Sequence, residues 1–135
     1  MSTPYANLEG TTPLISDRFI NTFIAGAAIT IGQLVYLTGA DFTVQPVTAQ
    51  NLYSVVGVAA ATRASGKTVP VITMGMVRVT AYGSISRGDQ VCSGSGATGG
   101  LVQSDTGNQA KKDASVIGIA LQAISSGATG IVLLY

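Results

Sequence analysis

The sequence predicts an all-β fold: a compact β-barrel or sandwich built from two sequence-similar halves and preceded by an extended N-terminal arm. One reason is the texture of the chain from about Ala25 onward. Short β-branched runs such as "AITIGQLVYLTG", "YSVVGVAAAT" and "MVRVTAYG" are bounded by glycine and other turn formers. The other is an internal repeat. "SVVGVAAATRASGKTVPVITM", Ser54 to Met74, returns as "SVIGIALQAISSGATGIVLLY", Ser115 to Tyr135.

Residues 1–24 stand apart. They hold Pro4 and Pro13, two of the four prolines, and they show neither helical spacing nor clean alternation. They are expected to form an extended arm, with Tyr5, Leu8, Leu14, Ile15 and Phe19 as anchors against the chain's own barrel or a neighbour. The expected β-domain spans residues 25–135, with one unit over 25–75 and the other over 81–135. "ITIGQLV" (Ile29 to Val35) is answered by "ISRGDQV" (Ile85 to Val91) at an offset of 56, and Val44-Gln45 by Val102-Gln103 at 58. Gly57, Gly66 and Val71 are answered by Gly118, Gly127 and Val132 at 61. The offset grows only where loops lie, as in a duplicated unit with loop insertions. Two units folded together remove free sheet edges that each alone would expose. Between the two units, Met76 to Thr80 alternates and sets Arg78 opposite the face of Val77 and Val79. "VGVAAAT" is apolar enough for a buried helix, yet its length and flanking glycines favour a strand. The one weak helix candidate is Thr48 to Leu52. Residues 93–114 form the longest loop region, rich in Gly, Ser and Gln.

Composition narrows the function classes. Hydrophobic residues make up 47% of the 135, but only 10% are charged, well under half the usual quarter or so. Charge is depleted where protein meets protein, so much of this Gly/Ser/Thr surface is expected to lie against other subunits. Net charge is +1, and the seven Lys and Arg residues are scattered. Nucleic-acid binding therefore has no electrostatic footprint. Mean hydropathy is +0.45, but every apolar run is interrupted well short of roughly 18 residues. No membrane span and no signal peptide are expected. Cys92 is the single cysteine, which excludes an internal disulfide framework and suits a reducing cell or a particle assembled there.

Motifs that could carry chemistry fail on context. "GSGATG" (Gly94 to Gly99) fits a dinucleotide fingerprint, but the polar "GLVQSDTGN" follows where a helix is required. "SGKT" (Ser65 to Thr68) lacks the first P-loop glycine, since Ala61 stands there, and runs into "VPVITM"; it reads as a turn with Lys67 in solvent. Lys67 is also not a carrier lysine, being matched in the second unit by Ala128. The chain has no histidine, which removes the commonest general base and metal ligand. Asp89 in "RGDQ" falls at a turn into a strand, and the repeat sets Arg87 to Asp89 over Ile31 to Gln33. Cys92 is expected to be a small buried hydrophobe. No catalytic residue, cofactor or metal is assigned.

The strand starts Gly32 to Val35 and Gly88 to Val91, the segments Gly57 to Val71 and Gly118 to Val132, and the final strand Gly130 to Leu134 together resemble a family of small phage proteins. That family, long of unknown function, includes head-decoration or capsid-cement proteins. The resemblance covers about residues 25–135, leaving the arm outside, and departs at Gln33, where the second unit has Asp89. It implies a non-catalytic β-domain, often trimeric, made in the host cytoplasm. Such a domain sits on the outer capsid surface of the virion and binds the major capsid protein. Tyr5, Leu8, Leu14, Ile15 and Phe19 are then the expected capsid or subunit contacts. The alternative from the same class is a fibre, spike or host-surface-binding module. A carboxylate-based hydrolase would need two converging acids, and a ligand-binding barrel an apolar cavity lined by aromatics, of which the chain has eight in all.

Overall fold

A computed structural model describes residues 18–49, 54–96, 99–105 and 116–135. These form nine strands and no helix: β1 (Arg18–Ala25), β2 (Leu34–Leu37), β3 (Thr43–Pro46), β4 (Val55–Ala59), β5 (Thr68–Thr80), β6 (Gln90–Ser93), β7 (Val102–Ser104), β8 (Gly118–Ala120) and β9 (Thr129–Leu134). Thr48 and Ala49 are not helical; residues 50–52 of that candidate lie outside the described residues.

All nine strands join one mixed sheet in the order β1-β3-β2-β4-β5-β9-β8-β6-β7. β1 pairs with β3 in parallel and also with β5 antiparallel, so β1, β3, β2, β4 and β5 close into a ring. The remaining strands pair antiparallel from β5 to β7. Ala81, directly after β5, then bridges in parallel to Val102 of β7 and brings that end of the sheet back to β5.

β5 belongs to both groups. Its thirteen residues carry Val69 and Val71 into one apolar cluster and Val77 and Val79 into another, all four on one face. The first cluster holds Ala25, Ile29, Val35, Val44, Ala59, Val69 and Val71. The second contains Ala81, Ile85, Val91, Val102, Ala120 and Val132, which lie at offsets of 56, 58 and 61 from six of those seven. The bonds recur at the same offsets. The bridge of Ile29 to Arg63 is repeated by Ile85 to Ile124, and the N–H of Gly32 donates to Ala59 O as that of Gly88 does to Ala120 O, each at 2.9 Å.

The seventh position explains a difference between the clusters. Where the first has buried Val69 and exposed Arg63, the second has Gly130 and buried Ile124. A Cβ on Gly130 would run into the Ile124 side chain, so the isoleucine occupies the volume that valine fills in the first cluster. Two other glycines are required by backbone. A Cβ on Gly57 would strike the carbonyl of Ile72, and one on Gly118 that of Leu133. Neither carbonyl can yield, because both belong to paired strands.

Residues 18–24, expected at the end of the arm, are part of β1. Their apolar residues do not alternate because a register shift lies between Phe19 and Ile20. Phe23 packs against the first cluster while Ile20 and Ile24 face outward, so both faces of the strand are apolar.

Two substitutions check this packing. Gly118→Ala is expected to lower unfolding free energy by about 2 kcal/mol or more in chemical denaturation, because the obstacle is backbone; an unchanged midpoint would contradict the close approach. Gly130→Val is expected to cost about 1–3 kcal/mol by overpacking. Combined with Ile124→Ala it should cost less than the sum of the two single changes, since each leaves room for the other.

Candidate binding surface

The residues singled out for chemistry are held in structural roles. Arg87, Gly88 and Asp89 form a turn, with Gly88 at φ 88°. The Asp89 carboxylate is engaged inside it: Oδ2 accepts from Ser86 N–H at 2.9 Å and from the Ser104 hydroxyl at 3.0 Å. Gln33 does the same in the earlier turn, its Oε1 accepting from Thr30 N–H at 2.8 Å. Thus the Gln33/Asp89 departure preserves one bond with two chemistries. Lys67 is exposed in a turn where Gly66 has φ 88°. Gly94 closes onto Leu101, its N–H donating to that carbonyl at 2.8 Å, and the described residues that follow hold no helix. Cys92 is fully buried in β6. Among the described residues, no group of three or more His, Cys, Asp or Glu side chains could hold a metal, and no helix is long and apolar enough to cross a membrane.

What the surface does offer is apolar. β1 and the outer face of β5 pair Ile24 with Thr68, Thr22 with Pro70, Ile20 with Ile72 and Phe19 with Met74. The face continues through Met76, paired with Leu133 of β9. Ile20 is 46% exposed, Ile24 42%, Met74 46% and Met76 67%. Thr73 ties the register shift beneath them: its hydroxyl donates to Phe19 O at 3.4 Å and accepts from the Asn21 amide at 3.3 Å. Beside this face runs an open groove of about 920 Å³, between the turn at Ile31 and Gln33 and the loop at Gly100 and Leu101, floored by Met76, Arg78 and Thr80. Among the described residues that line it, none is aromatic and the one charged side chain is Arg78.

A further feature was hidden in the sequence. Phe42, at the tip between β2 and β3, is 71% exposed and has φ 54°. It is the sole non-glycine residue with positive φ among those described. A bulky side chain in the left-handed region costs about 1–2 kcal/mol. The turn is held by Ile24 N–H donating to Phe42 O at 2.7 Å and by the Thr43 hydroxyl donating to Asp41 O at 3.0 Å. The only sequence signal was an aromatic in the turn "GADF". Of the five expected arm contacts, Phe19 is half-buried in β1, while Tyr5, Leu8, Leu14 and Ile15 lie outside the described residues.

No curated protein matches the sequence. Among solved structures, the chain is similar to the head fiber gp8.5 N base of bacteriophage phi29, with a TM-score of 0.63 and 20% identity over 87% of this chain and 94% of that one; at that identity the likeness concerns the fold. The sequence profile of phage cement proteins matches residues 43–134, from the start of β3 to the end of β9. That match covers more than half of the chain: the chain belongs to the phage cement protein family and is a structural protein of the virion.

Proposed function

We propose that this protein is a non-catalytic decoration protein that binds the outer surface of a phage capsid, contacts the major capsid protein and stabilises the shell. The observation that carries the reading is the continuous apolar face of Ile20, Ile24, Met74 and Met76 on a chain with so few charges. An exposed apolar strip of this kind marks a protein-contact surface. Phe42 would act as an anchor, since exposed aromatics dominate contact energetics when they enter a pocket. Backbone strain at such a residue accords with a role in binding. Tyr5, Leu8, Leu14, Ile15 and Phe19 would contact the shell or a neighbouring copy. A trimer would multiply weak contacts without tight single ones.

The domain itself we take to be two like halves, 25–75 and 81–135, sharing β5. The recurrence of core positions and backbone bonds at fixed offsets supports this. The second functional reading, a fibre base on the head, is favoured by the fold it shares with the phi29 protein. The two readings differ in how many copies a shell carries.

Rebinding to shells stripped of the protein tests the surface. Met74→Glu and Phe42→Ala should each weaken binding by about tenfold or more, on the scale of one lost contact hot spot. Phe42→Gly should weaken it as much while raising stability by about 1 kcal/mol, because glycine relieves the positive φ. Unchanged binding in all three variants would overturn the assignment of this surface.

A further inference from the structure

Sulfur is scarce in this chain, and half of it lies on one exposed face. The sequence holds three methionines and one cysteine. Met1 lies outside the described residues, and Cys92 is fully buried in β6, where a thiol is inert. Met74 and Met76, by contrast, are 46% and 67% exposed. They stand two residues apart in β5, so both side chains leave the sheet on its outer face.

Reaching them does not require the strand to open. Gly75, between them, is paired on both edges, with Arg18 of β1 and Leu134 of β9. Met74 is itself paired with Phe19, and Met76 with Leu133. The backbone is therefore held, while the thioethers point away from the apolar cluster that Val77 and Val79 enter. Methionine oxidation follows exposure, and a modification here leaves both clusters intact.

We propose that Met74 and Met76 form a paired oxidation site, and that converting them to sulfoxides disables the contact face of the protein. The oxidant is a two-electron oxygen donor such as hydrogen peroxide. At each thioether a sulfur lone pair attacks one peroxide oxygen, and the S–O bond forms as the O–O bond breaks. The sulfur is oxidised by two electrons and the peroxide reduced by two. The departing hydroxide takes the proton from the transferred oxygen and leaves as water. A polar, chiral sulfoxide then replaces an apolar thioether in the middle of the face. Ile20 and Ile24, on the same face, carry no such sensitivity. The inference rests on the reading of this face as the shell contact, and it adds a consequence: free protein is open to inactivation, whereas protein seated on a shell is shielded.

Peroxide treatment of the full-length free protein, followed by rebinding to stripped shells, tests it. Trypsin cuts after Lys67 and Arg78, so the peptide Thr68 to Arg78 carries both methionines and neither of the other sulfurs. The mass of that peptide counts the oxygens gained. It should take up two oxygens about tenfold or more faster than Cys92 is modified, in line with exposure. The oxidised protein should then bind shells about tenfold or more weakly, the scale of one lost contact hot spot. The double variant Met74→Leu, Met76→Leu should bind like the unsubstituted protein both before and after peroxide. On shells, the same peptide should gain oxygen about tenfold or more slowly than in free protein; equal rates would contradict the shielding. Resistance of the peptide in the free protein would overturn the site, and loss of binding by the double leucine variant after peroxide would place the sensitivity elsewhere. Oxidised protein that binds normally, while Met74→Glu does not, would sink the proposal and leave the contact face standing. Normal binding by both would remove the face as well.

Discussion

Everything in this fold hangs on β5 being shared. One strand supplies Val69 and Val71 to the first apolar cluster and Val77 and Val79 to the second. It can serve both only if its register with β1, β4 and β9 is fixed at once. A one-residue slip would turn all four valines outward. The close approaches at Gly57 and Gly118 lock that register, because each glycine lies against a carbonyl of β5 or β9. The two groups of strands thus share β5.

That economy leaves a particular surface. With the valines of β5 directed inward, its alternate residues Met74, Met76 and Arg78 line the outside at the centre of the molecule, where no further layer of described residues covers Met74 and Met76, while Ile72 is half-buried against the second apolar cluster. At that centre the exposed side chains of β5 are Met74, Met76 and Arg78. The placement of apolar residues where a sheet is widest, together with few charges, is the physical basis for reading the molecule as one that works by covering and being covered. Methionine suits this role because its flexible thioether adapts to irregular partner surfaces.

Much of the architecture was legible in the residues. Glycine-bounded β-branched runs marked β2, β4, β6, β8 and β9, and alternation at Val77, Arg78 and Val79 gave the inward face of β5. β1 was not legible, because its reason for being a strand lies some fifty residues away in β5. The register shift at Phe19 and Ile20 also erased the alternation that would have betrayed it. Phe42 escaped notice for a different reason: positive φ is a property of the turn's closure against Ile24 and Asp41, not of the local sequence. The compensation of Arg63 with Val69 by Ile124 with Gly130 looked like divergence between the repeats until the packing gave it a volume to conserve. That the chain has no histidine and a single cysteine, by contrast, is read directly from the residues.

The central claim is that this chain covers a phage shell, and the most direct measurement is its copy number relative to the major capsid protein in purified particles, by quantitative mass spectrometry. A ratio near one, or a simple fraction set by the lattice, is the predicted result. A handful of copies per particle would contradict the decoration reading in favour of a fibre base, and absence from particles would contradict both.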